Sequence, residues 1–347
     1  MNEMTSIWPD FLQQQTLAAL PPAAAAQPSF FAPLPELGLI AVSGEDAASF
    51  LHTQLTNDVQ NLTAAQARLA GYCSPKGRLQ ATFLMWKSGD SVFLQLPREI
   101  QATLQKRLQM FVMRAKAKLA DVTDTHAVLG LAGNAVAAAL APWFPVLPDA
   151  PYGKIDNQHG SLIRVADADG APRYQWITSP ETAIAAWPLL SGSLQALGAQ
   201  AWRLGEIQAG IPQITLATQE QFVPQMVNFE VVGGVNFKKG CYPGQEIVAR
   251  SQYLGKLKRR AMLASVQATG IAAATEVFSS NDPEQPCGMI VNAEADSAHS
   301  SRCLLEIKLA ALEGGGTIHL GSAHGAQLQF HALPYSIIDV TDSELSA

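Results

Sequence analysis

Cys241 stands in the run Lys239-Gly240-Cys241-Tyr242-Pro243-Gly244-Gln245-Glu246, followed by Ile-Val-Ala-Arg. A thiol does nucleophilic or metal-binding chemistry as its thiolate, which nearby positive charge and helix N-termini favour. Lys239 supplies such a charge two residues away. Pro243 followed by Gly-Gln-Glu and an apolar run predicts a helix start just beyond the cysteine. Gly240 and Gly244 leave the backbone open to close approach by a ligand or another chain. Taken by residue type alone, Cys241 is more readily a small buried hydrophobe.

The surrounding segment is unusual in charge. Residues 238–260 carry Lys238, Lys239, Arg250, Lys256, Lys258, Arg259 and Arg260 against one acid, Glu246. That is +6 inside a chain of −6, so the remainder sums to −12. Such a concentration predicts a local anion-attracting field. A solvated basic face is the plainer reading, but Gly, Cys, Tyr and Pro interrupt the charge.

The elements that position this segment read as α+β followed by all-β. Residues 1–29 predict a short helix, Phe11 to Leu20, and a Pro/Ala linker. In 30–126, Leu37-Gly-Leu-Ile-Ala-Val-Ser predicts a buried strand. Glu45 to Leu55 predicts a helix with Ala48, Leu51, His52 and Leu55 at helical spacing. Gly71 to Trp86 predicts two strands around the turn Ser-Pro-Lys-Gly, and Val92 to Leu96 another. A helix from Pro97 to about Met113 places Ile100, Leu104, Leu108 and Phe111 on one face. In 127–260, Val128, Leu129 and Leu131 predict a strand ended by Gly133. Asn134 is expected to cap an Ala-rich helix stopped by Pro142. Two strands (SLIRVAD, YQWITS) and a helix over Pro180 to Leu197 follow. In 261–347 the strand-like runs predict a small antiparallel barrel.

Thr125 to Pro148 holds no Asp, Glu, Lys or Arg, long enough to test as a membrane span. Pro142, Pro145, Asn134 and the strand–helix split favour buried core over a membrane span. The four cysteines, Cys73, Cys241, Cys287 and Cys303, match no zinc, haem, iron–sulfur or disulfide spacing. No resident metal is therefore expected. The first Lys or Arg is Arg68, so a basic signal-peptide region is missing, and a cytoplasmic location is expected.

The Lys239–Glu246 motif with its following Val-Ala-Arg resembles the signature of the YgfZ-type folate-binding proteins, a family related to the glycine cleavage T-protein, an aminomethyltransferase. The likeness extends through WRLGEIQAGIP, FVPQMVNFEVVGGVNFKK and YLGKLKRR, and through FLHTQLTNDV, YCSPKGRL and LPYS. The resemblance implies a T-protein-like fold: two α+β subdomains around a central folate channel, plus a C-terminal antiparallel β-barrel. It implies tetrahydrofolate or a derivative as the bound group. It also implies support of iron–sulfur cluster assembly or repair, and through it of tRNA-methylthiolating enzymes, with iron–sulfur enzymes or cluster-assembly proteins as partners. The family's functional cysteine falls on Cys241 and its folate-contacting tryptophan on Trp202. A second such tryptophan falls near Leu37.

A pterin needs an apolar slot and hydrogen-bonding groups at its edge. Trp202, Phe222, Phe229 and Tyr242 could supply faces. Glu206, Gln208, Gln225 and Asn228 could supply the edge, and Arg203, Arg250 or a lysine could pair the tail carboxylates.

Two other functions compete. An aminomethyltransferase needs a carboxylate for proton chemistry near the folate nitrogen. In that family an acidic pair follows a glycine; here Gln80 and Ala81 occupy the place, after Gly77, which argues against the activity. An RNA-binding protein would use the basic segment, yet no RNP, KH or zinc-knuckle motif accompanies it. The chain's mild overall acidity argues the same way. With 48% hydrophobic and 15% charged residues, the chain is not intrinsically disordered.

Overall fold

The computed structural model describes residues 7–18, 20, 28–253 and 257–337. The expected Pro/Ala linker lies largely outside the described residues. The chain divides into two compact units that interleave in sequence. The first takes described residues of Met1–Ala48, Asn61–Arg68 and Leu84–Gly205; the second takes those of Ser49–Gln60, Leu69–Phe83 and Glu206–Ala347. The expected stretch 127–260 therefore contributes to both.

In the first unit a six-stranded sheet runs Gln195–Ala196, Phe30–Pro33, Ala127–Ala132, Ala171–Thr178, Gly160–Ala168, Lys154–Asn157. Only the pair Phe30↔Gln195, Phe31↔Ala196 is parallel. Its core gathers Trp8, Phe31, Leu129, Leu131, Phe144, Trp176 and Trp187. The helix Pro180–Ser193 is capped by Ser179, whose hydroxyl accepts the Thr182 amide at 3.2 Å. The uncharged stretch is a fully buried strand and the short helix Val136–Leu140. No helix among the described residues is long and apolar enough to cross a membrane. Asn134 does not cap: the N-cap position is Ala135, with no side-chain cap, and its amide is met by the Ser29 hydroxyl at 3.0 Å. A residue 106 positions away has taken the role that local sequence assigned to Asn134.

A five-stranded sheet runs Ala67–Cys73, Leu79–Ser88, Ser91–Pro97, Leu37–Ser43, Lys118–Asp121. The helix Arg98–Val112 follows its third strand and buries Ile100, Leu104, Leu108 and Val112. Phe111, expected on that face, is 47% exposed. Positions 111 and 112 both continue the stripe from Leu108 at helical spacing, and the valine takes the inner place. The first helix covers Ile7–Gln13, earlier than expected, because Trp8 and Phe11 are the residues that reach the Trp187 ring.

In the second unit a six-stranded sheet runs Ile318–Leu320, Glu276–Ser279, Asp282–Ala295, Ser301–Lys308, Arg259–Val266, Leu328–His331. It is a curled half-barrel, not the closed barrel expected. Its edge strands span three and four residues. A single isolated bridge, His319 to Gln327, links the first to the residue just before the second, and one bridge makes no ladder. Its interior packs Val266, Val277, Ile290, Leu305 and Ile307. Between Gly210 and Asn236 the backbone is irregular, with 3-10 turns at Leu216–Thr218 and Pro224–Val227.

Candidate thiol site and its motif segments

Three sequence segments converge in the second unit. The helix Ala47–Gln54 ends with carbonyls that have no helical partner. Lys239 reaches them: its ammonium donates to the His52 carbonyl and, at 2.8 Å, to the Leu55 carbonyl. The lysine is 8% exposed, and burial lowers its pKa from the usual 10.5 to about 8, with Asp58 and Cys241 opposing the shift. Its ammonium also lies 4.9 Å from the Tyr242 ring centroid, a cation–π distance.

His52 turns its Nδ1 toward Asp58, 3.1 Å from Oδ1, and both side chains are largely buried. Burial and the Lys239 charge lower the His52 pKa against the pull of Asp58. The other ring nitrogen, Nε2, would lie 3.7 Å from a Cβ built on Gly240. Cys241, the next residue, is exposed, whereas Cys73, Cys287 and Cys303 are buried.

The turn Ser74–Gly77 closes against the same segment. A Cβ on Gly244 would stand 2.6 Å from the Gly77 N and Cα, and one on Gly77 would stand 2.8 Å from the Ile247 Cβ. Both glycines have positive φ, +78° and +70°. Neither position has room for a side chain, which explains two glycines in separate motifs. The helix begins at Gln245, after a turn in which the Gln245 amide meets the Tyr242 carbonyl at 3.2 Å. Cys241 thus precedes that turn rather than the first helical residue.

Tyr242 is buried, burial raises its pKa, and its hydroxyl meets no protein partner. The Ser74 hydroxyl is likewise buried and unpaired. Gln225 is fully buried; its amide donates to the Val248 carbonyl at 2.8 Å, while Oε1 has no partner. Asn228 adopts left-handed φ +57° and binds the Ala261 backbone through both ends of its amide, at 2.9 and 3.3 Å. Its amide also donates to the Tyr335 hydroxyl at 3.4 Å, and that hydroxyl donates to the Gly210 carbonyl at 2.9 Å. Phe222 and Phe229 are fully buried. Arg250 and Glu246 are exposed on the helix Gln245–Tyr253, with Gln245 half-buried. Glu206 is half-buried near the end of the helix Ala199–Gln208.

Trp202 and Arg203 lie in the first unit. Trp202 is buried beneath Gly130, whose Cβ would stand 2.6 Å from the indole Cδ2. The Arg173 guanidinium lies 4.1 Å from the indole centroid. Arg203 pairs with Glu36 at 3.1 Å. A cleft of about 240 Å³ in the same unit, lined by Phe93, His126, His159 and Thr178 among others, holds none of these residues.

The basic segment is less positive outwardly than its composition. Arg260 is buried against Glu230 and donates to the Gln225 carbonyl at 3.1 Å. Arg259 donates from Nη1 to both carboxylate oxygens of the buried Glu306, at 2.7 and 2.8 Å. With Lys239 on backbone carbonyls, the exposed cations described in this segment are Lys238, Arg250 and Lys258. Among the described residues no group of three or more His, Cys, Asp or Glu could hold a metal ion.

His52 and Asp58 were not singled out by sequence reasoning. The signal was their presence in FLHTQLTNDV; nothing local showed that this segment meets a motif more than 180 residues away.

The family model of the GCVT N-terminal domain matches residues 34–165. The tRNA-modifying protein YgfZ of Klebsiella pneumoniae (strain 342) is 34% identical over 260 residues, covering 74% of this chain and 77% of that protein. The protein of the same name from Escherichia fergusonii is 31% identical over 256 residues, covering 74% and 78%. The crystal structure of glycine cleavage system aminomethyltransferase T from Bartonella henselae covers 88% of this chain and 86% of its own, with TM-score 0.72 and 17% identity. That last likeness establishes a T-protein-like α+β fold. The identity and coverage of the two relatives place the chain in the family of the tRNA-modifying protein YgfZ.

Proposed function

We propose that this protein binds tetrahydrofolate or a derivative and acts as an accessory protein for iron–sulfur cluster assembly or repair, and through it for tRNA-methylthiolating enzymes. The observation that carries this reading is the exposed Cys241, which follows the buried Lys239 and Gly240 where the motif meets the His52–Asp58 segment and three motif segments of the family resemblance come together. The relatives' name, tRNA-modifying protein, supports the tRNA connection.

The residues suit a folate. The buried Tyr242 hydroxyl and Gln225 Oε1 have no protein partner, and a pterin edge offers both donors and acceptors. Tyr242 and Gln225 would hold that edge, and the exposed Arg250 would meet the tail carboxylates. Asn228 is committed to the Ala261 backbone, so its contribution would be to hold the loop. In the first unit Trp202 is packed on Gly130 and covered by Arg173, so it offers no open face. Glu206 would act at the polar margin of the site, and Arg203, in the first unit, is already paired with Glu36. Bound folate supplies a carrier for one-carbon units; the chain's own contribution is an accessible thiol at Cys241.

The T-protein-like fold favours a second reading, folate-dependent aminomethyl transfer. Against it, the Gln80 amide donates to Glu220 at 2.6 Å and Ala81 is buried, so neither offers a carboxylate. Direct RNA binding is disfavoured because Arg259 and Arg260 are taken up by internal ion pairs.

The test is growth and iron–sulfur enzyme activity in a deletion strain carrying wild-type or Cys241→Ala protein, with tetrahydrofolate titrated against both purified proteins. Support should be lost in the variant while its folate affinity and melting temperature stay near wild type. Normal support by the variant would eliminate the thiol role. Aminomethyl transfer by the pure protein would favour the second reading.

A further inference from the structure

We infer that His52, oriented by Asp58, is the proton acceptor for the Cys241 thiol, so that the site is a thiol–imidazole–carboxylate arrangement seated on Lys239. This rests on the proposed role of Cys241 and names the group that prepares it.

The geometry is assembled from both ends of the unit's sequence. Asp58 lies 3.1 Å from Nδ1 of His52, an ion-pair contact that lacks the geometry of an aligned hydrogen bond. A carboxylate there favours the tautomer with the proton on Nδ1 and leaves Nε2 as an acceptor. Nε2 faces Gly240: among the described residues other than its two chain neighbours, it alone comes within 4 Å of a Cβ built there, at 3.7 Å. The absent side chain keeps the imidazole open to the backbone that carries Cys241. Lys239 fixes the approach, since its ammonium binds the carbonyl of His52 itself and that of Leu55. The charged groups facing His52 are therefore Asp58 from its own segment and Lys239 from the motif, with Cys241 beyond Gly240. Burial and Lys239 keep the imidazole neutral at pH 7, the form that accepts a proton.

The step is a proton transfer. The Cys241 S–H bond breaks, the electron pair stays on sulfur, and the proton goes to His52 Nε2. Asp58 balances the imidazolium. The thiolate then attacks an electrophile, and the leaving group departs with the displaced pair.

Iodoacetamide is the probe: a sulfur–carbon bond forms and iodide leaves. Cys241 is the exposed thiol among four, and Cys241→Ser supplies the background rate. In the wild-type protein the alkylation rate should show an inflection below pH 6.5, where His52 becomes protonated. In His52→Gln that inflection should vanish and the rate at pH 7 should fall about 10- to 100-fold. In Asp58→Asn the rate should fall less and the inflection should move to lower pH. Circular dichroism and melting of each variant check that the fold is retained. Should His52→Gln unfold, the displaced inflection in Asp58→Asn decides. An unchanged inflection in either folded variant, or an unchanged rate at pH 7 in His52→Gln, overturns the inference. The assay uses neither folate nor a client enzyme. Its failure alongside loss of support in Cys241→Ala would refute the His52 role alone, while normal support would refute the thiol reading.

Discussion

Lys239 donates to the Leu55 carbonyl at 2.8 Å across 184 positions of sequence, so the motif lysine is the C-terminal cap of a distant helix. The contact joins the KGCYPGQE and FLHTQLTNDV segments, and it sets a stability signature. Burial lowers the Lys239 pKa to about 8 from 10.5 in the unfolded chain. Between those values the unfolded state binds more protons, so the Lys239 contribution to stability rises with pH. Lys239→Met removes this contribution. The stability of wild type minus that of the variant should increase from about pH 7.5 to about pH 10.5, measured by urea unfolding. A constant difference across that range would contradict the buried environment of the ammonium.

Arg260 and Glu230 form a buried pair, 2% and 6% exposed in their side chains. Burial raises the Glu230 pKa above its usual range, with Arg260 pulling it back down. Arg260→Met would leave that carboxylate without its counter-charge and the Gln225 carbonyl without its donor. The expected cost is about 3–5 kcal/mol at pH 7. Without the arginine, Glu230 takes up a proton on folding, so stability is lost as pH rises through the raised folded value. The variant should therefore lose less stability at about pH 5 than at pH 7. Denaturant midpoints at the two pH values check this; an equal loss at both would show that Glu230 stays ionised.

This pair also shows what the sequence could not carry. The excess of basic residues in 238–260 is evident from composition, but the acids that absorb it, Glu230 and Glu306, lie outside that window. The long helix Arg98–Val112 and the strand Leu37–Ser43 were legible because their apolar spacing is local. Strands of three or four residues, such as Lys118–Asp121 and Ile318–Leu320, were not: so few residues display no period, and pairing alone defines them. Cys241 was legible through its motif. His52 and Asp58 were not, because their approach to the motif depends on how Lys239 caps the helix that carries His52. The half-barrel shows the same limit. Alternating strands were visible in the sequence, but closure depends on edge length and on a meeting between His319 and Gln327.

Gly130 and Trp202 provide a test in the first unit. The strand Ala127–Ala132 is buried throughout, and at Gly130 its backbone lies directly against the indole. A Cβ there would stand 2.6 Å from Cδ2, closer than carbon atoms tolerate. The neighbouring Arg173 is 1% exposed and stands over the same ring, so the indole has little room to withdraw. Gly130→Ala should therefore destabilise the protein by about 1–3 kcal/mol through overpacking. It should also shift the Trp202 fluorescence, isolated by comparison with Trp202→Phe. A second substitution separates crowding from a loss of strand flexibility. Trp202→Leu removes the ring, so Gly130→Ala should cost less in that background than alone. If the cost is the same in both backgrounds, the glycine serves the strand itself and not the tryptophan packed on it.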